Sequence, residues 1–143
     1  MNQYPVKMHL FSEPALWLTC SEFVDAAGGI SPGNGETHIR FRDDDIVNES
    51  WVSLGGQTIG NNYVIHPSGD KLYHFESHNH SEGRQTGTFH IDRNVVYSRF
   101  TMDNSSKGGF EVVIRDGDRC EGYGALYEQG RLINTWRVVM EKF

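Results

Sequence analysis

From Glu36 onward the chain alternates apolar and polar residues with a period of two. The run THIRFR is followed by DDD, and IVNESWVSL by the glycine-rich GGQTIG. NYVIH then meets PSGD, KLYHFES follows, and RQTGTFHI meets DRN before VVYSRFTM. After NSSKGG come FEVVIR, a DG turn, DRCEGYGALY, a QG turn and RLINTWRVVM. Short alternating runs separated by Gly, Asp and Asn predict a sequential antiparallel meander of about nine strands. A meander of that length closes into a barrel, because closure removes the exposed strand edges.

The first thirty residues follow a different pattern. In SEPALWLTCSEFVDAAGG, Ser12 suits an N-cap and Pro14 stands where a missing N–H costs nothing. Leu16, Cys20, Phe23, Val24 and Ala27 recur at helical spacing until Gly28 and Gly29 end the pattern. This predicts an N-terminal amphipathic helix within residues 1–30, with ISPGNGE as a linker. The 143 residues then read as a single domain (1–143), mainly β, with an up-and-down antiparallel β-barrel over 36–143.

The turns set the expected register. A two-residue turn at Asp116-Gly117 places Val112 opposite Glu121 and Phe110 opposite Tyr123. Gln129-Gly130 places Tyr123 opposite Trp136. A three-residue turn at Asp92 to Asn94 places Phe89 opposite Tyr97. One face then gathers Trp51, Tyr63, Tyr73, Phe75, Phe89, Tyr97, Phe110, Val112, Ile114, Tyr123 and Trp136, and is expected to point inward. The same register carries Glu49, Ser77, Gln85, Arg99 and Glu121 inside. Ile133, Val139 and Phe143 point out, where the N-terminal helix is expected to cover them.

That inner face suggests a binding site. Arg99 would anchor an anionic or carbonyl group while Tyr97, Tyr123, Trp51 and Trp136 stack on a planar body, with Tyr73 and Phe89 completing the wall. Glu121, desolvated, is the candidate general acid or base if the protein is an enzyme. The alternative is structural: Arg99 and Glu121 form an ion pair or meet water at an open barrel end.

The stretch HFESHNHSEG raises a separate question, because His74, Glu76, His78 and His80 occupy alternate positions. Two histidines and a carboxylate form a known metal-binding set, and His90 stands on the next strand. The alternation with Tyr73 and Phe75 puts this stripe on the outside, so no metal ligand is assigned, and a metal-binding protein using His74, Glu76, His78 and His90 is an alternative.

Composition narrows the field. The chain has 13 Lys and Arg against 19 Asp and Glu, and no basic run, which argues against nucleic acid. No signal peptide or membrane-spanning apolar run is evident, so neither secretion nor a membrane partner is expected. Cys20 and Cys120 lack metal or redox spacing and read as free thiols in the cytoplasm. No nucleotide or hydrolase fingerprint is present and no cofactor is implied.

The chain resembles the calycin superfamily, the lipocalin-like and fatty-acid-binding-like barrels. The resemblance covers residues 36–143 and rests on the meander, the alternation and the final strand INTWRVVMEKF with Trp136-Arg137. It departs in lacking the lipocalin GxW on a first strand and in placing a helix first. What it implies is a central cavity for a small, largely apolar molecule; a few members are isomerases, lyases or decarboxylases. The leading expectation is therefore a binding protein for a small hydrophobic or aromatic molecule, planar or lipophilic, with an anionic group as an option for which Arg99 would supply the counter-charge. An isomerase, lyase or hydrolase type enzyme is the second, and a homodimer is left open.

Overall fold

The segment expected to be helical is a strand. The structure, a computed structural model, describes residues 8–79, 83–103 and 105–143. Its ten strands are β1 (Ala15–Asp25), β2 (Ile30–Arg42), β3 (Asp45–Leu54), β4 (Gln57–Gly69), β5 (Leu72–Asn79), β6 (Gly83–Asp92), β7 (Val95–Met102), β8 (Lys107–Asp116), β9 (Arg119–Glu128) and β10 (Arg131–Lys142). Each pairs antiparallel with its neighbours in sequence, and β1 pairs with β10 to close the barrel. The fold is thus a closed up-and-down antiparallel barrel. Among the described residues there is no helix long and apolar enough to cross a membrane.

Two features of the N-terminal sequence explain the correction. Trp17 and Thr19 are buried, and Ser21 and Phe23 line the interior, while Leu18, Cys20 and Glu22 are exposed, so period two fits this segment as well as period 3.6 does. Trp, Thr, Phe and Val also favour strands. The tertiary setting then decides: without β1, both β2 and β10 would be open edges. Val139 needs no helical cover, since Cys20 lies beside it in the β1–β10 ladder, and Phe143, also expected to be covered, is 84% exposed. The expected linker ISPGNGE is the first half of β2, where Gly33 and Gly35 are buried.

One end of the barrel is plugged. Before β1 the chain makes a turn, with Ser12 N–H donating to His9 O (3.2 Å) and His9 N–H to Ser12 Oγ (2.8 Å). Ser12 caps this turn, not a helix. The turn inserts Leu10 and Phe11, each 4% exposed, against a core that includes Ile39, Phe75, Phe89 and Ile91. Phe11 meets Phe89 at 5.1 Å, and Phe89 stacks on Phe75 at 4.5 Å. Arg115, reaching in from β8, fastens the plug: it donates to Glu13 Oε1 (2.7 Å), His9 O (3.2 Å) and Gly117 O (2.7 Å) and lies 5.0 Å above the Trp17 ring. Lys142 also reaches Glu13 Oε1, at 2.8 Å.

The expected inner face is right on β4 to β6 and reversed on β7 to β9. Ile65, Phe75, Ser77, Gln85, Phe89 and Ile91 are buried, as the alternation predicts. On β7 the turn has two residues and not three: Asp92 pairs with Val95, with Arg93 at a φ of 55°. This one-residue difference turns Val96, Ser98 and Met102 inward and Tyr97 and Arg99 out. The reversal passes intact through β8 and β9, because Tyr97, Val112 and Tyr123 still face one another. The β8–β9 turn falls at Gly117-Asp118, one residue later than expected, which slides the pairing without changing faces. At β10 the register shifts between Leu132 and Asn134, leaving Ile133 as an extra residue, and Trp136 points inward again. Glu49, expected inside, is exposed on β3 and ion-paired with Arg40 at 2.9 Å.

Candidate functional site

The barrel encloses a cavity of about 370 Å³, running from Leu10 and Phe11 at the plugged end toward Phe23, Leu54 and Ile59 at the other. The last three are only half buried, so the far end admits solvent. One wall, β2 to β6, mixes uncharged polar with apolar side chains, and its Thr37, Asn48 and Gln85 are all buried. Ser50 Oγ donates to Asn61 O (3.2 Å), and Ser77 Oγ to Asn61 Oδ1 (3.2 Å). On the other wall are Phe23, Phe100, Trp136 and Glu111.

Glu111 is the chemical centre of this second wall. Its side chain points inward from β8, opposite Ser98 on β7 and Gly124 on β9. Trp136 lies one strand further, opposite Gly124, and its Nε1–H donates to Glu111 Oε2 at 2.6 Å. Gly124 makes that reach possible: a Cβ there would fall within the Trp136 indole. The indole therefore lies flat over the glycine, flanked by Phe23 and Phe100 with ring centroids 6.4 Å away on each side. Burial pushes the Glu111 carboxyl above the ordinary carboxylate range, and the bond from Trp136 offsets part of that rise. Two residues from Trp136 on the same strand face, Asn134 Oδ1 is buried with no hydrogen-bond partner among the described residues. Cys120 faces inward nearer the plug, its thiol pushed up to about 12 by burial, which makes it inert as a nucleophile.

The residues expected to form the site divide into two groups. Trp136 and Phe89 line the cavity, and Tyr73 packs against the core beside them. Arg99, Tyr97, Tyr123 and Glu121 are on the outer face instead. Tyr97 is 46% and Tyr123 44% exposed. Glu121 accepts from Tyr123 Oη (2.9 Å) and from Arg119 (3.2 Å), and these two bonds, Tyr123 first, hold its carboxyl below the ordinary range. That is the opposite of a desolvated general acid. Trp51 sits at the cavity edge, but its exposed indole donates to Glu36 Oε2 at 3.3 Å. Arg99 lies in a shallow external depression with Thr88, Phe110 and Tyr127. Arg99→Ala should accordingly leave binding in the cavity unchanged within about twofold, as surface changes do; a titration of any cavity-bound probe checks this, and a tenfold loss would put Arg99 back in the site.

The histidine stripe does not converge. His74 is opposite Thr88 and His66, whereas His90 is opposite Leu72 and Tyr97. His66 Nδ1 is engaged by Asp45 at 2.8 Å, and Glu76 by Arg84 at 2.9 Å. His80 lies outside the described residues. Among the described residues, no three of His, Cys, Asp and Glu are grouped to hold a metal ion.

Glu111, Asn134, Phe23 and Phe100 were not expected in the site. The pairing of Gly124 with an inward Trp136 is the signal that could have found Glu111, since a side chain at that position would meet the indole lying over the strand. No protein-family model matches this chain, and a search of curated proteins returns no match.

Proposed function

We propose that this protein is a calycin-like binding protein that takes a small, planar or lipophilic molecule into its barrel. The observation that carries the reading is the aromatic-walled cavity of about 370 Å³ with the half-buried Glu111 carboxyl on its wall. Cavities of about 300–1,000 Å³, mostly apolar with a few placed polar groups, are the usual form of a ligand site. The calycin likeness is supported by a closed meander and by a strand, not a helix, at the start. A tryptophan, Trp17, stands on that first strand, though Ala15 occupies the glycine position of GxW. The anionic ligand that Arg99 was expected to anchor is not part of the proposal, since Arg99 points away from the cavity. The reading involves neither nucleic acid nor membrane, and the two free cysteines fit a reducing compartment such as the cytoplasm.

A neutral solvatochromic dye such as Nile red tests it. Binding should give a blue-shifted emission that saturates at one dye per chain. Ser21→Trp, which fills the cavity wall near the open end, should abolish the signal without lowering the melting temperature by more than a few degrees. Unsaturable binding, or a signal indifferent to that substitution, would contradict an internal site.

A second reading, an enzyme, is favoured by one feature: a carboxyl with a raised pKa inside a cavity is suited to general acid or base work. In that reading Glu111 takes the role that Glu121 was expected to fill.

A further inference from the structure

Glu111 is a half-buried acid whose carboxyl faces a cavity that offers it no counter-charge. Among the described residues, no Lys, Arg or His lines the cavity. The nearest buried cation on its own strand, Arg115, is committed to Glu13, His9 O and Gly117 O at the plugged end. Ser98, Gly124 and Trp136 face Glu111 from the strands around it, and the other ionisable groups on the inner face of those strands are Cys120 and, at the plugged end, Lys142, which is bonded to Glu13 Oε1. The carboxylate receives a single side-chain hydrogen bond among the described residues, from Trp136. A buried charge without a partner is costly, so the site either keeps its proton or waits for a cation.

Three further features favour the cation. Phe23, Trp136 and Phe100 present adjacent aromatic rings beside the carboxylate, and aromatic faces attract organic cations, most strongly where water is excluded. Asn134 Oδ1 is a second buried acceptor on the same wall with nothing to accept from. The remainder of the lining supplies apolar surface and neutral polar groups, which suit an uncharged body and repel nothing. Acceptors and π-faces without a single cationic side chain form a wall built for a positive charge.

We infer that the ligand is a small organic cation, an ammonium group on an apolar body, seated with its charge between Glu111 and the Phe23–Trp136–Phe100 rings. This rests on the reading that the cavity binds a ligand at all. At any pH where the free protein's Glu111 is protonated, entry of a permanently charged ammonium breaks the Glu111 O–H bond, the proton leaves to solvent and the carboxylate pairs with the cation. Where Glu111 is already ionised, the cation pairs with the carboxylate directly. Affinity for such a ligand therefore falls as pH drops below the point at which Glu111 ionises, while affinity for a neutral ligand of the same shape does not.

Phenyltrimethylammonium and tert-butylbenzene differ only in that charge and make the test. Calorimetry on the full chain at pH 8 should show the cation binding about tenfold more tightly or better, the scale expected of a desolvated cation on aromatic faces with a counter-ion. The advantage should shrink as pH falls. Over the range in which Glu111 titrates, heats measured in buffers of different ionisation enthalpy should reveal proton release on binding, rising toward one proton per cation at the acid end. Glu111→Gln should abolish the proton release and the preference but leave tert-butylbenzene unchanged. The wild-type pH series stands independently should that variant fold poorly. If tert-butylbenzene binds as well as the cation at every pH, the inference is wrong while the cavity reading survives. If neither these probes nor Nile red binds, both fall.

Discussion

Arg115→Met should lower the stability of the barrel by about 3 kcal/mol, the scale of breaking a buried, hydrogen-bonded ion pair by removing one partner. Arg115 is 4% exposed, and its guanidinium ties the segment before β1, at His9 and Glu13, to the β8–β9 turn. Methionine fills much of the volume over Trp17, so the loss is chiefly of donors. Glu13 keeps Lys142, but His9 O and Gly117 O lose their side-chain partner. Urea unfolding should show a lower midpoint at an unchanged slope. The same latch sets an acid limit. The hydrogen bond from Lys142, then that from Arg115, holds the Glu13 carboxyl below its ordinary value. A depressed folded-state pKa contributes stability above the unfolded value and loses it as pH falls through the folded one. Wild-type stability should therefore decline on acidification in part through Glu13, and Arg115→Met should flatten that decline. A loss under about 1 kcal/mol would show that Leu10 and Phe11 hold the plug without it.

Gly124→Val should be as damaging for a different reason. The added side chain would occupy the place of the Trp136 indole, which lies directly on the glycine. Trp136 would have to rotate away, breaking its bond to Glu111 and its contacts with Phe23 and Phe100. Overpacking in a tight core and an orphaned buried acceptor each cost about 1–3 kcal/mol, so a total near 3 kcal/mol is expected. Binding of Nile red should weaken in parallel. Thermal unfolding checks the first effect and dye titration the second; a valine variant with native stability would mean the indole does not lie over β9 as described.

Much of the barrel could be read from the chain because alternation and turn residues are local signals. The strands from Glu36 to the C-terminus follow the runs of period two, and His74, Glu76 and His78 are on the outside as their alternation with Tyr73 and Phe75 requires. Two local events hid the site. The Asp92–Val95 turn uses two residues, with Arg93 in a left-handed conformation that its residue type does not advertise. The extra residue at Ile133 restores the register downstream. Between these points each strand is inverted, and hydrophobicity could not reveal it, because both faces are apolar there. Phe110, Val112 and Ile114 read as core just as well as Phe100, Met102 and Val113, yet Phe110 is 45% and Ile114 41% exposed. The inversion exchanged Glu121 for Glu111 as the carboxyl inside the barrel. The N-terminal strand was concealed differently: its apolar residues fit both periods, and only the unpaired edges of β2 and β10 decide between them.

In the proposed function a ligand enters the barrel and meets Trp136 beside Glu111. The protein has three tryptophans, and they occupy three different environments. Trp17 is sealed under Arg115 at the plug, the Trp51 indole is exposed outside, and Trp136 lines the cavity. Fluorine NMR of protein carrying 5-fluorotryptophan therefore contains its own controls. Titration with phenyltrimethylammonium or Nile red should move the Trp136 resonance, identified by Trp136→Phe, and leave those of Trp17 and Trp51 in place. A shift confined to Trp51, or no shift at saturating probe, would contradict the account.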